Sequence, residues 1–165
     1  MLITETRARV YLVWALLLPI GFVATHLYQR HAINALWTII AIVGLGYMYR
    51  VMPIKVRQMQ HILWAWLAPI GFGLLVSAVV FYVDTANAAT LIAHLGAFWL
   101  GIMAVGYFLN GLADSSPRGW YWFAGALNLA AAVACWTIEP FIQGQYLIAA
   151  IVSAWSMLNL WIFRS

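Results

Sequence analysis

The chain has four carboxylates, Glu5, Asp84, Asp114 and Glu139, and each falls at the edge of an apolar segment. Between these edges lie six stretches long enough to cross a bilayer core, which needs roughly 20 apolar residues per helix. They run over about 10–29, 33–52, 60–83, 88–111, 119–138 and 142–163. A run of this length without internal charge has few other folds open to it. In hydrocarbon each backbone amide must be paired within the protein, and a helix does this with its own carbonyls. With 66% hydrophobic and 7% charged residues, the chain could not cover a soluble globule, where about 25% charged is usual. The expected fold is therefore all-α: one integral membrane domain over residues 1–165, with six transmembrane helices in three hairpins.

The cations set the expected orientation. Arg7, Arg9, Arg50, Lys55, Arg57, Arg118 and Arg164 fall on the side where odd-numbered spans begin, and only Arg30 falls on the other. Basic residues collect on the cytoplasmic side, so both termini are placed there, in a multi-pass cell-membrane protein. The net charge of +4 is spread over segment ends, and no nucleic-acid partner is implied. The apolar run after Arg9 is long and lacks a small-residue cleavage site, so it reads as a retained first helix. The lone Cys135 makes no intramolecular disulfide and no cysteine metal motif.

"WALLLPIGF" at 14–22 returns as "WAWLAPIGF" at 64–72, with seven of nine positions identical. Pro19 and Pro69 fall near the middle of spans one and three, where a proline removes a backbone donor and kinks a helix. Each motif opens a hairpin whose second helix carries Gly-Tyr, at Gly46-Tyr47 and Gly106-Tyr107. This predicts a parallel internal repeat of the first two hairpins. The second hairpin holds about ten more residues between these landmarks. Ala126, Ala130 and Ala134 in span five, with Ala149/Ser153 and Ala150/Ala154 in span six, are spaced for close helix contact. The contact is within the chain or with other membrane subunits, a homo-oligomer included.

Chemistry-bearing residues are few. His94 is the ionisable group clearly inside a span, while His26 and His31 lie toward the same outer side and His61 at the inner end of span three. Neutral imidazoles ligate haem iron, copper or zinc, so His94, His31 and His26 are the candidate cofactor ligands, with haem b or copper as the cofactor. Structural hydrogen bonding of His94 and a headgroup position for the other two are the competing readings. Asn128 and Asn159 fall within spans five and six, where a buried amide either joins helices or lines a polar path. No phosphate loop, nucleophile elbow or carboxylate pair is present, and the short loops disfavour an enzyme.

Residues 31–53, "HAINALWTIIAIVGLGYMYRVMP", resemble a helix of the haem–copper oxidase subunit I-like and NnrS-type membrane proteins through His31, Trp37, Gly44, Tyr47, Tyr49 and Pro53. His94, Trp99 and Gly106 repeat the outline loosely. The resemblance implies His31 and His94 as haem or copper ligands. Two functions follow as expectations. One is a small membrane subunit or accessory protein in a respiratory or redox setting, with or without a cofactor. The other is a channel or carrier for a small neutral solute. The charge bias predicts that a reporter fused after Ser165 behaves as cytoplasmic and one placed within residues 84–88 as external. An external C-terminus would mean an odd number of spans.

Overall fold

In the computed structural model, which describes residues 2–28, 32–52, 57–82, 88–113 and 118–163, helix follows helix and no strand occurs among the described residues. The elements are α1 (Leu2–Tyr28), α2 (Ala32–Val51), α3 (Arg57–Tyr82), α4 (Ala88–Ala93), α5 (Leu95–Ala113), α6 (Arg118–Thr137), α7 (Glu139–Gln143) and α8 (Gln145–Ile162). Four of them, α1, α3, α5 and α8, are long and apolar enough to cross a membrane. The described apolar part of α2, Ala35–Val51, is shorter. Helix α6 has 20 residues, but Asn128 and the polar indole and phenol groups of Trp120, Tyr121 and Trp122 lower its hydropathy.

Neighbouring helices close a ring. Helix α1 packs on α2 and α8, α3 on α2 and α5, and α6 on α5 and α8. Helix α5 also reaches α8 across the ring, so the centre is filled. Tyr11, Met48, Leu100, Met103, Tyr107 and Tyr121 are buried there. The outward faces present Leu16, Ile20, Ile42, Leu75 and Ile151. This surface suits hydrocarbon, which needs no polar cover.

Tryptophans lying flat on glycines hold the first four long helices together. A Cβ added at Gly44 would stand 2.5 Å from the Trp14 ring, and one at Gly21 2.8 Å from Trp37. Between α3 and α5 the same arrangement recurs. A Cβ at Gly106 would stand 2.6 Å from Trp66, and one at Gly73 2.8 Å from Trp99. The two pairs of helices meet where Trp37 stacks on Trp99, ring centroids 5.6 Å apart and 11° from parallel. Glycine is required at these positions because any side chain would occupy the space of the indole.

The letters that repeat in the sequence are not the residues that repeat in environment. Trp14 is 4% exposed and Trp64 is 62% exposed. Gly21 lies under Trp37, whereas Gly71 faces open space. Phe22 is buried and Phe72 exposed. Gly46 also faces open space, while Gly106 lies under Trp66. The buried counterpart of Trp14 is Trp66, two residues beyond the letter match. Two residues turn a helix by about 200°, so Trp64, Gly71 and Phe72 lie outside the packing that covers Trp14, Gly21 and Phe22, while Ala15 and Ala65 are both buried.

Pro19 and Pro69 lie inside α1 and α3, which continue on both sides of them. The fourth predicted span, expected to run without interruption over 88–111, breaks at His94 into α4 and α5. No proline is involved, and the cause is a side chain described below. On α8, Ala149, Ala150 and Ser153 are buried. On α6, Ala126 and Ala130 are exposed and line an outer groove with Ala134.

The packing predicts opposite effects at two neighbouring glycines of α3. Gly73→Ala forces the Trp99 ring to move and should lower stability by about 1–3 kcal/mol, the usual cost of overpacking. Gly71→Ala, in open space, should be neutral or gain up to about 1 kcal/mol from helix propensity. Thermal unfolding in detergent measures both, and equal effects would refute the tryptophan-on-glycine account.

Candidate functional site

The break at His94 is the chemical centre of one end of the bundle, where α1 and α3 finish and α2 and α8 begin. The His94 amide bonds back to Leu91 carbonyl at 3.2 Å, and its carbonyl accepts from the Phe98 amide at 2.9 Å. An uninterrupted helix would pair the amides of Gly96 and Ala97 with carbonyls one turn earlier. The side chain of Gln145 takes over that role. Its Oε1 accepts from Gly96 N at 2.8 Å and Ala97 N at 3.1 Å, and its Nε2 donates to Ala93 O at 2.6 Å. One carboxamide thus acts as a peptide group between the two halves.

Local sequence explains how it gets there. Gln145 opens α8 directly after Gly144, the turn residue between α7 and α8. It is buried, and Gly96 makes room for it, since a Cβ there would meet Gln145 Cγ at 2.7 Å. Unpaired polar backbone inside an apolar bundle costs several kcal/mol per group, so the break and the glutamine require each other.

Beside this junction lies a cavity of about 260 Å³ lined by Thr25, Phe81, Ala93, Gln143, Gln145 and Tyr146, among others. Its walls mix apolar side chains with a hydroxyl, two carboxamides and a phenol, and among the described residues none that lines it is charged. Thr25 is fixed: Oγ1 donates to Gly21 O at 2.7 Å and accepts from Trp37 Nε1 at 2.9 Å. The wall is therefore tied to the Trp37–Trp99 stack. A site built this way can hydrogen-bond a small uncharged molecule.

The predicted ligand residues are placed differently. His94 is half-buried and stacks on Trp136 of α6, centroids 4.6 Å apart. Its Nδ1 is buried and has no partner among the described residues. The hydrogen bond to a neighbouring helix expected of a structural histidine is thus absent at Nδ1, and an aromatic face holds the ring. His26, next to Thr25 in α1, also has a buried Nδ1 without a partner among the described residues. His31 lies outside the described residues. Among the described residues no three of His, Cys, Asp and Glu gather as a metal site. Among the described residues this arrangement gives no support to the haem or copper implied by the resemblance.

Asn128 is fully buried and joins two helices, its Nδ2 donating to Ala124 O at 2.8 Å and to Ser156 Oγ at 3.0 Å. Asn159 instead bonds Trp155 O of its own helix at 2.8 Å and makes no such link among the described residues. Sequence reasoning missed Gln145 because it falls at the start of the sixth predicted span, at the end of "EPFIQGQ", the break that divides it from the fifth. The one available signal was a polar residue directly after the last glycine before an apolar run.

Comparison with protein-family models, with curated proteins and with solved structures gives no match.

Replacing Gln145 by Leu leaves two amides and a carbonyl unpaired. At roughly 1–3 kcal/mol per buried unsatisfied group, this should be among the most destabilising single changes in the chain. A denaturation midpoint close to that of the native protein would show that the junction does not depend on the carboxamide.

Proposed function

We propose that the protein is a six-span integral membrane protein, with both termini cytoplasmic, that binds a small neutral polar solute at its outer end and conducts it across the membrane. The observation that carries this reading is the discontinuous helix α4–α5, bridged by Gln145 at the wall of a polar cavity. Irregular backbone at membrane depth is tolerated where it is buried in protein or lines a cavity, and broken helices of this kind mark substrate sites in carriers. The described lining residues carry no charge, which favours a neutral ligand, because an ion would require compensation in so apolar a setting.

We also infer that α1–α2 and α3–α5 are an internal repeat in the register of their buried tryptophans. Trp14 and Gly21 then correspond to Trp66 and Gly73, and Trp37 and Gly44 to Trp99 and Gly106. The pseudo-twofold axis passes through the Trp37–Trp99 stack. In this register the ten residues by which the second hairpin is longer fall between Gly73 and Trp99, a stretch that contains α4, which ends at Ala93 of the cavity wall. Helix α4, which has no counterpart in the first hairpin, contributes Ile92 and Ala93 to the cavity wall.

A second reading, a subunit of a larger membrane assembly, has its own support in the exposed Ala126–Ala130 face of α6. Flux separates the two. Protein in liposomes should pass one or more small uncharged polar solutes faster than protein-free liposomes. Ala93→Trp, which fills the cavity while leaving the bonded backbone carbonyl in place, should abolish the difference. Rates equal to those of empty liposomes over a broad neutral panel would leave the subunit reading.

A further inference from the structure

A second polar region lies far from the cavity, in the half of the bundle that holds the start of α1. Tyr11 precedes Thr25 by fourteen residues, about 21 Å of helix. Tyr11 of α1 and Tyr121 of α6 join hydroxyls there. Tyr107 of α5 neighbours Tyr11 and Ser156, and Ser156 of α8 accepts from Asn128 of α6. Asn110 lies three residues beyond Tyr107, on the same face of α5. Four helices thus bring hydroxyls and carboxamides to one interior region, and Tyr107, Asn110, Asn128 and Ser156 are each 0% exposed.

The hydrogen-bond inventory of this region does not close. The Tyr107 hydroxyl, Asn110 Oδ1 and Asn128 Oδ1 are buried and have no partner among the described residues. Both amide nitrogens are oriented by protein carbonyls, Asn110 Nδ2 to Gly106 O at 2.7 Å and Asn128 Nδ2 to Ala124 O at 2.8 Å. Their oxygens are therefore set as acceptors, and flipping either amide would break a bond already made. What remains is two acceptors and two hydroxyls that can donate, those of Tyr107 and of Ser156, the latter already accepting from Asn128. A water molecule offers two donors and two acceptors, the complement of this set, and buried waters characteristically make about three bonds to such groups.

We propose that the junction of α5, α6 and α8 is a binding site for ordered water, with Tyr107, Asn128 and Asn110 as its ligands. The Tyr107 hydroxyl donates to the water, and the water donates to the asparagine oxygens. The site goes beyond the solute-binding reading and does not rest on it. The Tyr11–Tyr121 pair flanks the site on the α1 side.

Bound water can be read directly by synchrotron hydroxyl-radical labelling of the intact protein in lipid nanodiscs, since radiolysis of a held water modifies the side chain beside it. Phe22, 1% exposed in an apolar setting, is the dry aromatic control. The proposal expects Tyr107 to be modified several-fold faster than Phe22, and equal rates overturn it. Tyr107→Phe supplies the second readout. If the hydroxyl holds water, its removal lowers the thermal midpoint by a few degrees. If the hydroxyl is an orphan, its removal leaves the midpoint unchanged or raises it, and the proposal fails. Should the variant not fold, the labelling of the native chain still decides.

Discussion

The end of the bundle that carries the cavity depends on one constraint: a helix interrupted among apolar side chains must have its freed amides and carbonyl satisfied. Gln145 meets that demand with a single carboxamide, accepting twice and donating once. The consequences spread outward. Gly96 must lack a side chain, α8 must begin where it does, and α7 must deliver the chain to that place. The interruption shortens the fourth long helix and frees α4 to line the cavity. Removing the carboxamide would leave the two halves of the helix without a link, whatever the quality of the packing elsewhere.

Much of the architecture was legible in the sequence because the hydrocarbon phase leaves few solutions. Long uncharged runs could only be helices, and the breaks at charged or glycine-rich segments match the helix ends. What the letters could not give was rotation about each helix axis. The "WALLLPIGF" repeat was conspicuous, but its second copy is turned so that Trp64 and Phe72 face outward. Identity of sequence reports ancestry or composition, whereas burial is set by which face meets a neighbour. The buried pattern, tryptophan on glycine, uses only two kinds of residue and hides among twelve glycines and ten tryptophans.

The polar residues divide along similar lines. Asn128 stood out as an amide deep in an apolar run, and its bond to Ser156 joins α6 to α8. Gln145 did not stand out, because a glutamine near a glycine is ordinary at the break between two spans. Tyr121 did not stand out either, since phenols near span ends are ordinary interfacial anchors, and Tyr107 stood out only as half of a Gly-Tyr pair. Tyr11, Tyr107 and Tyr121 are instead among the most deeply buried side chains of the molecule. The histidines drew attention by type, yet His94 is held by the face of Trp136. Side-chain chemistry named the candidates, but only the packing separated them.

The stacked indoles of Trp37 and Trp99 also have an optical consequence. Near-parallel rings with centroids 5.6 Å apart couple electronically and exchange excitation much faster than isolated indoles emit. Through Thr25, one of them is hydrogen-bonded to the cavity wall. The near-ultraviolet spectrum of the protein therefore carries a native reporter, without an added label, on the seam between its two tryptophan-bearing hairpins.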